Sequence, residues 1–241
     1  MKKFKKLIPA LCMLLISAVL MGTSTYAWFS MNTTVTASGM QVTAKSDNVF
    51  LQISKTNEFT DPATEVEFNE AATALKPTTP AYTEDKKSIE KWQYAYSTNP
   101  SDANVSASLK IVAQEDVGKY VYSTTLNVRI AEGSTATATN LVISEVSMTG
   151  ATAGRNLNKA LRVAVKGADG IQVYSYTTGA WAKDTTNSAE ALLASVSTTA
   201  SEITIYIWFD GTDAECKTVN ATTLDTLNFT IKFSVTANAA A

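Results

Sequence analysis

The chain has 241 residues, with 20 basic and 22 acidic side chains, two cysteines and no histidine. Without histidine it lacks the commonest general base, the commonest zinc ligand and the base of most nucleophilic triads, so catalysis would need a positive signal from a Ser-Lys or paired-carboxylate arrangement. Residues 1–27 carry four of the basic side chains and none of the acidic ones; removing them leaves 16 basic against 22 acidic groups and a net charge of −6, which disfavours nucleic acid and anionic membranes as partners.

Those first residues read as a signal peptide. Lys2, Lys3, Lys5 and Lys6 form a basic start, and Leu7 to Met21 is apolar apart from Ser17, short of the roughly 20 residues of a membrane span. Thr25 and Ala27 fit the small-residue rule and predict cleavage between Ala27 and Trp28, with Gly22 or Ser24 as alternatives. Cys12 lies mid-run behind Leu11, which argues against lipidation. The expected product is secreted, located in an extracellular matrix or at the cell surface. Val235 to Ala241 holds no sortase signal, hydrophobic tail or basic anchor, so no stable membrane anchor is expected after cleavage. Cys216 is then the only cysteine, and no intramolecular disulfide can form.

From Val35 the pattern is strand-like. Val35 and Ala37 share one phase, Gly39 intervenes, and Met40, Val42 and Ala44 take the other, predicting a bulge or bend at the glycine. Ser46-Asp47-Asn48 is a turn signal, and Val49, Leu51 and Ile53 alternate beyond it, so a hairpin is expected. Lys55 to Asn104 holds four of the five prolines (Pro62, Pro77, Pro80, Pro100) and the acidic run Glu65, Glu67 and Glu70; it reads as an irregular surface excursion. Inside it, Ile89 to Tyr96 is a candidate strand with Trp92, Tyr94 and Tyr96 in phase.

Val105 to Val112 and Gly118 to Ile130 read as strands, the second with Tyr120, Tyr122, Leu126, Val128 and Ile130 in one phase. In Leu141 to Met148, Leu141 and Ile143 are out of phase with Val146 and Met148, predicting a bulge. Leu161, Val163 and Val165 alternate, Lys166 to Gly170 has hairpin-loop chemistry, and Ile171 and Val173 follow with Tyr174 and Tyr176 on the other side. Asn187 to Val196 is the one helical candidate, with Ser188 as N-cap and Leu192, Leu193 and Val196 as its apolar face. Ile203, Ile205, Ile207 and Phe209, and then Leu227, Phe229, Ile231, Phe233 and Val235, alternate with polar or aromatic residues. The expectation is an all-β chain: an antiparallel, jelly-roll-like β-sandwich with short helices in its connections. Its parts are a signal peptide (1–27), an N-terminal strand segment (28–46) and a single sandwich domain (47–241) with an irregular excursion at about 55–104.

Three features invite chemistry. Asp210, Asp213 and Glu215 place carboxylates close together after a core strand and are a weak candidate for calcium, although a turn explains them without an ion and no metal or other cofactor is expected. Cys216 lacks a histidine to activate it and reads as a half-buried structural thiol. Tyr174, Tyr176, Trp181, Tyr206 and Trp208 fit cross-strand packing better than a sugar-binding platform.

The run Ala27-Trp28-Phe29-Ser30, the stretch Thr34 to Ala44 and the strand Val49 to Ser54 resemble the start of the TasA/camelysin family of secreted biofilm-matrix proteins of Gram-positive bacteria, exported with a SipW-type signal peptide. Ile205 to Cys216 resembles a motif in related exported proteins. The resemblance implies cleavage by an endoplasmic-reticulum-type signal peptidase and a jelly-roll subunit of extracellular fibres. In such fibres the N-terminal segment of one subunit completes the sheet of the next. Trp28 to Val42 would be the donor segment, with Trp28, Phe29, Val35, Gly39, Met40 and Val42 as its assembly residues. Lys55 to Asn104 departs from the compact family pattern. Camelysin carries a metalloprotease label, but there is no His-Glu-x-x-His helix here to hold a zinc ion.

The expected function is therefore a secreted, non-enzymatic structural protein whose partners are copies of itself or related matrix subunits. The alternative is a monomeric cell-surface or matrix binding module for a carbohydrate or protein ligand. A hydrolase using paired carboxylates ranks last, because no pair singles itself out.

Overall fold

The computed structural model describes residues 40–44, 51–59, 65–68, 75–94, 109–132, 134, 137–149, 157–177, 179–216 and 228–238. All of them belong to a compact unit that begins at Ser38. The expected signal peptide, its expected cleavage site at Ala27 and Trp28, and the expected assembly residues Phe29, Val35 and Gly39 lie outside the described residues.

The strands are β1 (Met40–Ala44), β2 (Leu51–Ser54), β3 (Glu65–Phe68), β4 (Thr78–Tyr82), β5 (Ile89–Tyr94), β6 (Val121–Ile130), β7 (Thr137–Thr149), β8 (Leu161–Lys166), β9 (Ile171–Thr177), β10 (Ala180–Lys183), β11 (Leu193–Val196), β12 (Ser201–Phe209) and β13 (Asn228–Asn238). They form a five-stranded sheet in the order β11-β7-β13-β1-β3, a six-stranded sheet in the order β10-β9-β8-β12-β6-β2, and the pair β4-β5. The chain passes between the two large sheets at most connections, as in a jelly roll, and the fold is an all-β sandwich. Short 3-10 turns occupy Gln114–Lys119 and Leu157–Ala160.

The alternating strands build the core between the sheets. Ile203, Ile205 and Phe209 of β12, Leu126, Val128 and Ile130 of β6, and Leu161, Val163 and Val165 of β8 pack against Leu141, Phe229, Ile231 and Phe233 from the five-stranded sheet. Each such side chain removed from water contributes about 1.5–3 kcal/mol. The phase change in β7 is a bulge, as its sequence predicts. Glu145 pairs with Lys232 and Ile143 with Phe233, leaving Ser144 as the extra residue. Its hydroxyl donates to the Lys232 carbonyl at 3.1 Å.

Five expectations are corrected. The first two strands do not form a hairpin: β1 belongs to the five-stranded sheet and β2 pairs with β6 in the other. Ser46-Asp47-Asn48 signals a change of direction, which a crossover between sheets uses as readily as a hairpin does. The 55–104 stretch is not simply an irregular excursion, since it supplies β3 to the large sheet and the β4-β5 hairpin. The strand expected from Gly118 begins at Val121, after the 3-10 turn. In the expected Val105 to Val112 strand, the described part contributes a single bridge, between Ile111 and Gln93.

The fifth is the helix over Asn187 to Val196. Its last four residues are β11, paired with β7. Two of its earlier N–H groups are also taken by the sheets: Ala189 N–H donates to the Ile171 carbonyl at 2.7 Å, and Leu192 N–H to the Leu141 carbonyl at 2.8 Å. Ser188, expected as an N-cap, accepts the Val173 N–H instead, at 2.9 Å. A helix this short is marginal by itself, so two strand edges outcompete it.

The β4-β5 hairpin lies on the outer face of the six-stranded sheet and makes a second core. Trp92, Val112, Tyr120 and Val121 pack there with Ala164, Ile171, Val173 and Trp208. Trp92 meets Trp208 edge-on at 5.2 Å between centroids, and Tyr94 meets Tyr120 in the same manner at 5.2 Å. β9 is therefore apolar on one face, through Ile171 and Val173, while its Tyr174 packs against the sandwich core.

Candidate functional site

The N-terminal strand carries the assembly expectation, and its pairing defines a slot. β1 runs parallel to β13, with Gln41 opposite Thr230, Val42 opposite Ile231, Thr43 opposite Lys232 and Ala44 opposite Phe233. On its other edge it is antiparallel to β3, from Met40 opposite Phe68 to Thr43 opposite Glu65. This is the one parallel ladder between strands among the described residues, and β3 has its ladder with β1 alone. Without β1, β13 would present an open row of backbone donors and acceptors and β3 would lose its pairing. Met40 and Val42, two of the expected assembly residues, lie in this strand; Trp28, Phe29, Val35 and Gly39 are among those not described.

The Asp210 to Cys216 segment is a turn held from outside by the sheet. Asp210 N–H donates to the Ala160 carbonyl at 2.8 Å and Gly211 N–H to the Thr78 carbonyl at 3.1 Å. Within the turn, Asp210 Oδ1 accepts the Thr212 hydroxyl at 2.7 Å, and Asp213 Oδ1 accepts the Glu215 N–H at 2.9 Å. Arg162 of β8 lies between the two aspartates. Its Nη2 donates to Asp213 Oδ2 at 2.7 Å and is 3.5 Å from Asp210 Oδ2, while Nη1 donates to the Lys159 and Leu161 carbonyls. The guanidinium thus supplies the positive charge that a calcium ion was considered for, and no three metal-ligating side chains converge among the described residues.

Cys216 closes this turn as a free, half-buried thiol against the main core. Burial first, and then the negative charges of Asp210 and Asp213, push it up to about 12, with Arg162 opposing them. A thiol so held stays protonated and is a poor nucleophile.

The five aromatic residues do not form one surface. Trp208 is only 1% exposed beneath the β4-β5 hairpin. Tyr206 is beside it, 6.0 Å from Trp92. Tyr176 and Trp181 make a cross-strand pair at 5.5 Å, and Trp181 reaches Phe229 of the opposite sheet at 6.1 Å. Tyr174 donates its hydroxyl to the Ile143 carbonyl at 3.0 Å.

Sequence reasoning overlooked Arg162, Gln172, Tyr82 and Asp184. Gln172 alone left a trace: a polar residue between Ile171 and Val173 is unremarkable on a half-exposed strand, but both faces of β9 are buried. Comparison with protein-family models, with curated proteins and with solved structures finds no match to this chain. The class that fold and pairing define is an all-β sandwich whose N-terminal strand fills a slot between two strands distant in sequence.

Proposed function

We propose that this protein is a secreted, non-catalytic structural subunit of extracellular fibres or a biofilm matrix, assembling through its N-terminal strand with copies of itself or related subunits. The observation that carries this reading is the placement of β1 between β13 and β3. A strand only five residues long gains backbone partners on both edges there. The same slot in a neighbouring copy offers the same partners to the segment Trp28 to Val42. Where each copy donates its segment onward rather than back, the contact is head-to-tail and propagates as an open filament. The basic and apolar leader read from the sequence supports export and removal by a signal peptidase, which would free the chain close to β1. The TasA/camelysin resemblance points the same way.

Negative-stain electron microscopy of the secreted protein tests the proposal, once mass spectrometry has fixed its first residue. Filaments that vanish on deletion of Trp28 to Thr36 are the expected result. Monomers at every concentration and pH would overturn self-assembly by this chain.

A further inference from the structure

The seam where the β4-β5 hairpin meets the outer face of the six-stranded sheet forms a half-open cavity of about 340 Å³, at the small-ligand end of the usual range. Its walls come from five parts of the chain, β9 included. Thr79 and Tyr82 stand on β4, Arg162 on β8, Asp184 and Asn187 after β10, and Asp210 after β12, with Val173 and Trp208 among the apolar lining. This polar chamber is distinct from the β1 slot.

The hydrogen-bonding state of the lining narrows what fits. Arg162 is engaged by two carbonyls and Asp213, so it offers an incoming anion little, and Asp184 and Asp210 give the walls an excess of negative charge. Phosphates and carboxylates are disfavoured. A simple cation is disfavoured too, because Arg162 stands 3.5 Å from Asp210 and Asp184 Oδ2 accepts the Asn187 amide at 2.9 Å. Among the described residues, the Tyr82 hydroxyl, the Thr79 hydroxyl and the Asn187 carbonyl oxygen have no protein hydrogen-bond partner. Burial, then Asp184 and Asp210, hold the Tyr82 phenol well above its ordinary value, so it remains a neutral hydrogen-bond donor. The lining therefore combines neutral hydroxyls, an amide and a carboxylate edge.

We infer that this cavity is a binding site for a neutral, hydroxyl-rich ligand, a single sugar unit or the end of a glycan chain. Vicinal hydroxyls match the mixed donors and acceptors of Thr79, Tyr82, Asn187 and Asp210. The site is independent of assembly, since a fibre built through β1 would carry it on every subunit.

The test is titration of the full chain with glucose, galactose and N-acetylglucosamine, following the indole N–H resonances of the four tryptophans by NMR. Saturable shifts with at least one sugar are expected, weakened about tenfold in Tyr82→Phe and in Thr79→Val, each of which removes one ligand hydrogen bond and keeps the cavity's shape. Thermal melting of both variants should match the parent. Absence of saturable shifts with all three sugars would overturn the inference. So would unchanged affinity in both variants, or saturation by ethylammonium or inorganic phosphate in place of the sugars. Filament formation is read separately by microscopy, so failure here leaves the assembly reading standing.

Discussion

Gln172 on β9 accepts the Ile143 N–H of β7 at 2.8 Å, from one sheet of the sandwich to the other. Its amide donates in turn to the Glu190 carbonyl at 2.7 Å, and Tyr174 donates to the Ile143 carbonyl. Ile143 stands where β7 bulges and where β11 has ended, so its backbone has no ladder partner on that edge. Two side chains from the facing sheet replace the missing strand.

Gln172→Leu keeps the volume but leaves the Ile143 N–H without a partner in a buried setting, while the Glu190 carbonyl, on an exposed residue, loses one donor. With one buried group left unsatisfied, a loss of about 1–3 kcal/mol is expected, read as a lower urea midpoint at unchanged slope. Tyr174→Phe removes a single hydroxyl and should cost about 1 kcal/mol.

Gly167 closes the β8-β9 hairpin against the segment that leads into β11. A Cβ at this position would come within 2.2 Å of the Leu192 carbonyl oxygen, which is backbone and cannot swing aside. Gly167→Ala is expected to destabilise by about 1–3 kcal/mol, whereas Gly118→Ala, with nothing within 4 Å of the added carbon, should fall within about 0.5 kcal/mol of the parent. Paired chemical denaturation curves decide between them.

Thr43 and Lys232 face each other across the parallel ladder of β1 and β13. The double variant Thr43→Cys, Lys232→Cys, made in a Cys216→Ala background, should form a disulfide. Oxidised as a monomer, it should fail to polymerise; oxidised after assembly, it should run as a covalent ladder on a non-reducing gel. Covalent ladders are what strand exchange requires, and monomeric bands from pre-formed fibres would place β1 in its own chain.

Cys216 holds its proton more tightly in the folded chain than in the unfolded one. Stability from this group is complete below the ordinary cysteine value and is lost as pH rises from there toward about 12, because the unfolded state ionises first. Cys216→Ala should therefore flatten the fall in stability over that alkaline window. The native thiol should also resist iodoacetamide near pH 8 and react once the chain is unfolded in urea.

Local pattern carried much of the architecture. The alternation of Ile203, Ile205, Ile207 and Phe209 set β12 and its buried face, the glycines 167 and 170 marked the β8-β9 hairpin, and the phase slip between Ile143 and Val146 located the bulge. Each is a property of a few consecutive residues, because the period of a strand and the chemistry of a turn are written in neighbouring side chains. The weight given to packing over a sugar platform for the aromatic residues also agrees with where they stand. Partner choice was decided only in three dimensions. Val42 has nothing in its neighbourhood that names Ile231, 189 positions further on, as its opposite residue. Trp92 and Trp208 meet because a hairpin folds over a sheet face that alternation alone assigns to solvent. Asn187 to Val196 has a helical face, yet the edges of β7 and β9 take its backbone. Arg162 reaches Asp213 because β8 and β12 are neighbours in the sheet. Sheet edges, second layers and ion pairs join residues far apart in the chain, and the free energy that selects them comes from groups a local window never contains.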